Sequence, residues 1–458
     1  MNVLNTKRNN SGGADLYNFT SGIEVDKLLA PYEIRVQCAW VDALVQGNYL
    51  PKEEGHKANS LLQEALGMIQ KGSFEWRIED EDIHMNLERF ITERAGDLGK
   101  KIHVGRSRND LIATTLRLYT NDVAKEASGQ TRSLASALCD LAEKYASVIV
   151  PGTTHMQHGQ PISFGHVLAS HAWAFGRDIK RLKNTQKACL EYLPLGSAAF
   201  SGTSLKLDLV TLANKLGFES APNNSYDAVG DRDFMIESLD AFASIAIHLG
   251  RLCEDVIYWS STPVGLVVLP KNYSTGSSIM PNKRNPDVAE ITRAKASRII
   301  AAASEAHFLV KSVPTSYGSD LHELKKTFVG AKTELTSCLE IMVPFIEGIK
   351  LNETRAQELL STGHILATEI ADHLTSQGMA FRDAYKKVAQ MVEIAESKGV
   401  QVHTLDSETI KSILPEIDVG FMRSLSAESA VEKRNNPGGT SIAQVKQGVQ
   451  TLRKTLSE

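Results

Sequence analysis

Cysteine is scarce in this chain, and net charge is scarcer. Five cysteines (Cys38, Cys139, Cys189, Cys253 and Cys338) are scattered through 458 residues without a CxxC pair, which argues against a disulfide framework and against a zinc knuckle. Reduced cytoplasmic thiols are the simplest expectation. Lys and Arg total 50 against 54 Asp and Glu, a formal charge of -4, so no basic face is expected to hold nucleic acid or anionic lipid. Any anion must be met locally. No run of about 18 uncharged apolar residues occurs, and the amino-terminal MNVLNTKRNNSGGAD has no apolar stretch after its charges. Neither membrane insertion nor export is expected. The phosphate-loop pattern GxxxxGK[ST] and the zinc pattern HExxH are also missing.

What is present is a globular composition, 42% hydrophobic, long enough for two or three compact units with sizeable cores. The fourteen prolines are placed unevenly, with none between Pro51 and Pro151, Pro222 and Pro263, Pro286 and Pro314, or Pro314 and Pro344. Proline is expelled from helix interiors, so these gaps read as helices and the prolines as their ends. Leu134, Leu138, Leu141, Tyr145 and Val148 keep a three-four step, as do Phe164, Leu168, His171 and Phe175. Strand alternation is confined to a possible short run around Gly265 to Leu269. The expected fold is all-α, with long helices bundled together, and such bundles often form across subunits. The segments expected are 1–106, loop-rich and read as an N-terminal helical domain, 107–359, the long-helix bundle, and 360–458, a C-terminal helical domain.

Four stretches concentrate polar groups where a bundle has no need of them. GRSRND (Gly105 to Asp110) sets two arginines, a serine and an asparagine before a helical run starting near Leu111, where amides and an Arg fork suit a carboxylate. A solvated cap using Asn109 and Asp110 is the alternative. GTTHMQHGQP (Gly152 to Pro161) carries His155 and His158 between one helix and the next; a lone histidine is more often structural than catalytic, and no carboxylate accompanies the pair as a metal site would need. In STGSSIMPNKRNP (Ser274 to Pro286), Gly276 frees the backbone ahead of Ser277 and Ser278. Asn285 reads as an N-cap with Pro286 at the first helical position, presenting Lys283, Asn285 and free N–H groups to an anion. A mobile surface loop is the alternative. PTSYGSDLHELKK (Pro314 to Lys326) brings Tyr317, His322 and Lys325 to another helix start.

One reaction suits all four: breaking a C–N bond by removing a proton from the carbon beside a carboxylate. The intermediate carries two negative charges on that carboxyl group and needs cations, N–H donors, a base at carbon and an acid for the departing nitrogen. A serine serves as base only where its alkoxide is strongly favoured. No cofactor and no metal are required.

These residues resemble the fumarase and aspartase superfamily, whose signature GSSxMPxKxNP stands here as GSSIMPNKRNP. Within it the chain is similar to the argininosuccinate lyase and delta-crystallin branch, through DEDIH (Asp80 to His84), GRSRND, GTTHMQ, LPLGSAAFSGT (Leu193 to Thr203), NSYDAVGDRDF (Asn224 to Phe234) and LATEIADHL with GMAFRDAY (Leu366 to Tyr385). The likeness spans nearly the whole chain in order. It implies a three-domain helical protomer, a homotetramer with a twenty-helix core, active sites shared by three subunits, and cleavage of argininosuccinate to arginine and fumarate. Ser277 matches the serine that removes the proton and His155 the histidine of the other proton transfer, with base and acid open between them. Ser107, Arg108, Asn109, Thr154, Lys283 and Asn285 match residues holding the succinyl half. His84 joins the substrate-binding set, and Tyr317 and Lys325 lie nearer the arginine half. The departures are the missing WGGRF, left as NSGGADLYNF, Gly22 after Ser21 where the pattern has a serine, Asn282 and Arg284 in the signature, and His322 in place of a glutamine. They cluster on the departing-amine side. The rival expectations are a lyase acting on a different N-substituted aspartate and an inactive structural protein of crystallin type.

Overall fold

The computed structural model describes residues 19–457; NSGGADLYNF, up to Asn18, lies outside them. The chain divides into two compact units, one of Met1–Ser128, Lys180–Ala246 and Ser297–Thr336, the other of Gly129–Ile179, Ile247–Ala296 and Ser337–Glu458. Five long helices supply residues to both: Arg108–Lys144, Phe164–Leu190, Asp233–Ser260, Asp287–Val310 and Leu321–Glu347. The stripe read from sequence is the reason they form. Leu134, Leu138 and Leu141 are buried along the first, as are Phe164, Leu168, His171 and Phe175 along the second, and removing such side chains from water is the main gain of helix packing.

In the first unit the shorter helices Ala30–Gln46, Lys52–Gln70 and Ile83–Ala95 close over a core that includes Trp40, Leu44, Leu62, Leu87 and Leu111. This stretch is more helical than its glycines and polar runs suggest. In the second unit, helices Ala367–Ser376 and Phe381–Lys398 enclose Ile370, Met391, Ile410 and Met422.

Two expectations change. Pro344 does not end a helix: it sits inside Leu321–Glu347. Pro344 takes the i+4 donor from the Glu340 carbonyl, while its own carbonyl still accepts the Gly348 N–H at 3.2 Å and carries the turn on. The segment from Ile149 to Ser163 is an antiparallel hairpin, Ile149–Thr154 with Gln157–Ser163, and not a plain link between helices. The run near Gly265 contributes one short strand, Val267–Val268, paired with Lys350–Leu351.

Candidate active site

The Ser277 stretch is a small hairpin in the second unit. Thr275 and Gly276 pair with Asn285 and Arg284, and the loop between them turns back on its own serine. Ser277 Oγ accepts the N–H groups of Ile279 at 3.3 Å and Met280 at 3.1 Å. Two amides aimed at one hydroxyl oxygen stabilise negative charge there, which is the condition for a basic serine. Gly276 does not provide this by unusual backbone freedom. Its φ is not positive, and an added Cβ would meet only the Lys283 carbonyl at 3.9 Å.

The expected cap is shifted by one residue. The Pro286 carbonyl accepts the first helical N–H, from Glu290 at 3.0 Å, so Pro286 takes the capping position and Asp287 opens the helix. Asn285, left outside, is drawn into the two-residue strand, and its Nδ2 donates to Thr275 Oγ1 at 3.4 Å. Asp287 accepts from the Thr275 amide and hydroxyl, and the hydroxyl contact holds its carboxyl below the usual range. Lys283 is exposed.

Thr154 and His155 sit at the tip of the Ile149–Ser163 hairpin, also in the second unit. Thr154 pairs with Gln157, leaving a two-residue turn of His155 (φ 55) and Met156 (φ 60). Both positions need left-handed backbone, which histidine enters more readily than most side chains and methionine only at a cost. The turn thus presents an exposed imidazole on a strained backbone.

In the first unit, GRSRND caps a helix start with two side chains. The helix begins at Arg108, three residues earlier than expected. Ser107 Oγ accepts the Asn109 N–H at 3.3 Å while Asp110 Oδ1 accepts the Ser107 N–H at 3.0 Å. Asp110 Oδ2 accepts Gly196 and Ala198 at 3.0 and 2.8 Å, tying LPLGSAAFSGT to this helix start. Burial pushes Asp110 up to about 6. Asn109 Nδ2 reaches the Ala199 carbonyl at 3.4 Å. The guanidinium of Arg108 lies 2.9 Å from Asp82, itself buried, and 3.6 Å from Glu81. An incoming carboxylate would share this cation with two residues of DEDIH.

His84 is fully buried. Its Nε2 lies 3.2 Å from His103 Nδ1 and its Nδ1 3.6 Å from Glu33. Burial, reinforced by Arg106, holds His84 down at about 3; burial, with His84 beside it, holds His103 at about 4. With Glu88 they form a group, within 4.8 Å of one another, whose spacing would suit a metal ion. The Arg106 guanidinium beside it opposes a dication, and a chain of hydrogen bonds through neutral imidazoles accounts for the contacts. Both imidazoles are charged in the unfolded chain below about 6.5 and neutral in the fold down to about 4. The stability they confer is therefore complete above pH 6.5 and is lost as the pH falls toward 4. Replacing His103 with Gln is expected to flatten the fall in unfolding temperature over that window, measured against the parent chain by calorimetry.

The amine-side candidates are also in the first unit and are engaged with one another. Tyr317 Oη is hydrogen-bonded to His322 Nε2; burial pushes the phenol up and the imidazole down. Lys325 is buried in an ion pair with Asp26, at side-chain exposures of 3% and 5%. A side chain added at Gly22 would approach Lys325 Nζ to 3.5 Å, while the neighbouring Ser21 hydroxyl is turned to the Glu81 carbonyl at 3.4 Å. Asp26 was not picked out from sequence: it pairs across 299 positions, a separation that leaves no local pattern. Asp110 was read only as a cap, and it also ties in the Gly196 and Ala198 amides.

A family profile described as lyase matches residues 14–301, and one described as argininosuccinate lyase C-terminal matches residues 364–432. The argininosuccinate lyase of Nitratidesulfovibrio vulgaris strain Hildenborough is 39% identical over 422 residues, 92% of each chain. Among solved structures, an EDDS lyase in complex with formate superposes with a TM-score of 0.83 at 21% identity, covering 94% of this chain and 87% of that one. A class II fumarase from Schistosoma mansoni gives 0.71 at 19%, covering 85% and 91%. The two structures establish the helical fumarase-type fold.

Proposed function

The chain belongs to the argininosuccinate lyase family, and on that premise we propose that it eliminates fumarate from argininosuccinate, releasing arginine, without cofactor or metal. The observation that carries the reading is the pair of amide N–H groups on Ser277 Oγ. Ser277 takes the proton from the carbon beside the carboxylate, and the electron pair left there is delocalised into that carboxyl group. The C–N bond then breaks and His155 delivers a proton to the departing guanidine nitrogen. Lys283, Asn285, Thr154, Ser107, Arg108 and Asn109 hold the succinyl carboxylates; Tyr317, His322 and Lys325 face the arginine half, with His84 behind Arg108. Three copies in a cytoplasmic homotetramer complete each site, and the protomer is organised as 1–106, 107–359 and 360–458. The compact apolar cluster from Ile365 to Ala430 supports the last of these segments.

A specific observation favours a second reading, a lyase of another N-substituted aspartate: the groups expected to meet arginine are occupied by Asp26 and by each other. The two are separated by supplying fumarate with arginine or with a panel of other amines and following fumarate consumption. Consumption with arginine supports the first reading; consumption only with another amine rejects it. If arginine is the partner, His322→Gln is expected to lower KM for argininosuccinate about fivefold, since one restored hydrogen bond contributes about 1 kcal/mol. An unchanged KM removes His322 from the amine side.

A further inference from the structure

The hairpin that carries His155 is poorly built to hold itself. Pro151 faces Pro161 across the ladder, so this pair has no N–H to exchange. The register then slips between Pro151 and Thr153, and the turn places two side-chain-bearing residues at positive φ. A cavity of about 200 Å³ opens between Gly152, Thr153, His158, Tyr258, Trp259 and Leu359, so close packing does not support the tip from that side. Its base is packed, since Ile149, Val150 and Pro161 are buried and helices Glu353–Leu360 and Ala427–Glu432 lie against it, so these defects bear on the exposed tip.

Among the described residues, the tip has one side-chain hydrogen bond to the rest of the chain: His158 Nδ1 to Thr362 Oγ1, 2.9 Å. Thr362 stands on a fixed support. Its hydroxyl donates to the Leu359 carbonyl at 2.7 Å, the Ser361 carbonyl accepts from Gln401 Nε2 at 2.7 Å, and His364 Nδ1 accepts the Val402 N–H at 3.2 Å. A hydroxyl has a single proton, and Thr362 has used it on Leu359, so His158 must be the donor and carries hydrogen on Nδ1. Gly363 makes the approach possible. At φ +74, a Cβ there would be strained and would stand 3.1 Å from the Cβ of His158.

We propose that Thr362, acting through His158, is a positioning residue that fixes the His155 turn for proton transfer. The inference rests on the assignment of His155 to that transfer. A reacting group displaced by a fraction of an ångström loses rate more than binding, so the expected signature is in turnover.

In the full-length enzyme, Thr362→Val and His158→Phe should each lower kcat for argininosuccinate about five- to tenfold with KM changed less than about twofold. The double variant should be no worse than Thr362→Val alone, because once that hydroxyl is gone His158→Phe has no further bond to remove. Thr362→Ser should restore the parent kcat. Parent-like turnover in Thr362→Val, alongside a crippled His155→Ala, overturns the tether and leaves the role of His155 standing. Parent-like turnover in His155→Ala overturns the assignment on which the tether rests. A loss in Thr362→Ser equal to that in Thr362→Val, or a rise in KM equal to the fall in kcat, also overturns it, since volume rather than the hydrogen bond would then matter.

Discussion

Ser277→Ala is expected to lower turnover by about 10²- to 10⁴-fold, the usual contribution of a positioned general base, while succinate-like ligands still bind. The substitution removes one oxygen from a loop whose backbone is held by the Thr275–Asn285 pairing and by Asp287, neither of which involves that hydroxyl. The Ile279 and Met280 amides lose their acceptor, but the loop is exposed there and water replaces it at small cost. Steady-state fumarate release gives the first quantity and calorimetric titration of succinate the second. Turnover near that of the parent chain would transfer the base to His155, whose turn has the exposure but none of the amide donors.

Asp26→Ala is expected to destabilise the fold by about 3–5 kcal/mol, because the Lys325 ammonium would be left buried without its carboxylate. Urea unfolding monitored by circular dichroism measures this. Pairing Asp26→Leu with Lys325→Met should recover most of the loss, since an apolar pair of similar volume avoids two desolvation penalties. The experiment also decides what Lys325 is for. If Asp26→Ala changes stability by less than about 1 kcal/mol, the ammonium is not committed to Asp26 in the assembled enzyme and is available to substrate. A large loss makes Lys325 a strut for the Ile23–Asp26 segment, and the amine must be recognised by other groups.

The helices were legible because burial and periodicity say the same thing. Leu134, Leu138 and Leu141 recur at the helical step and are buried together, so local pattern and tertiary packing agree. The His155 hairpin was not legible for two physical reasons. Prolines at 151 and 161 erase the alternation that marks a strand, and its turn is His-Met, where Asn-Gly would have announced left-handed backbone. Pro344 misled in the opposite direction, since the burial of Phe345 and Ile346 beside it holds the helix in spite of the missing N–H. In the candidate site, the residue types were visible but their engagement was not. Arg108, Lys325 and Tyr317 were read as waiting for substrate, whereas Asp82, Asp26 and His322 already meet them. Asp26 lies 299 positions from Lys325 and leaves no trace in spacing, whereas Asp82 and His322 stand in the quoted motifs and only their contacts were hidden. Gly276 shows the remaining kind of error: it was read as freeing the backbone ahead of Ser277, yet its φ is not positive, and the donors to that oxygen are two ordinary residues downstream.

The donors to the Ser277 oxygen lie two and three positions along the same strip of backbone. Acidity set in this way travels with the strip as a self-contained cassette. Moving the strip toward or away from a bound molecule would leave both donors in place, so their contribution to the acidity of that oxygen would be the same in either position.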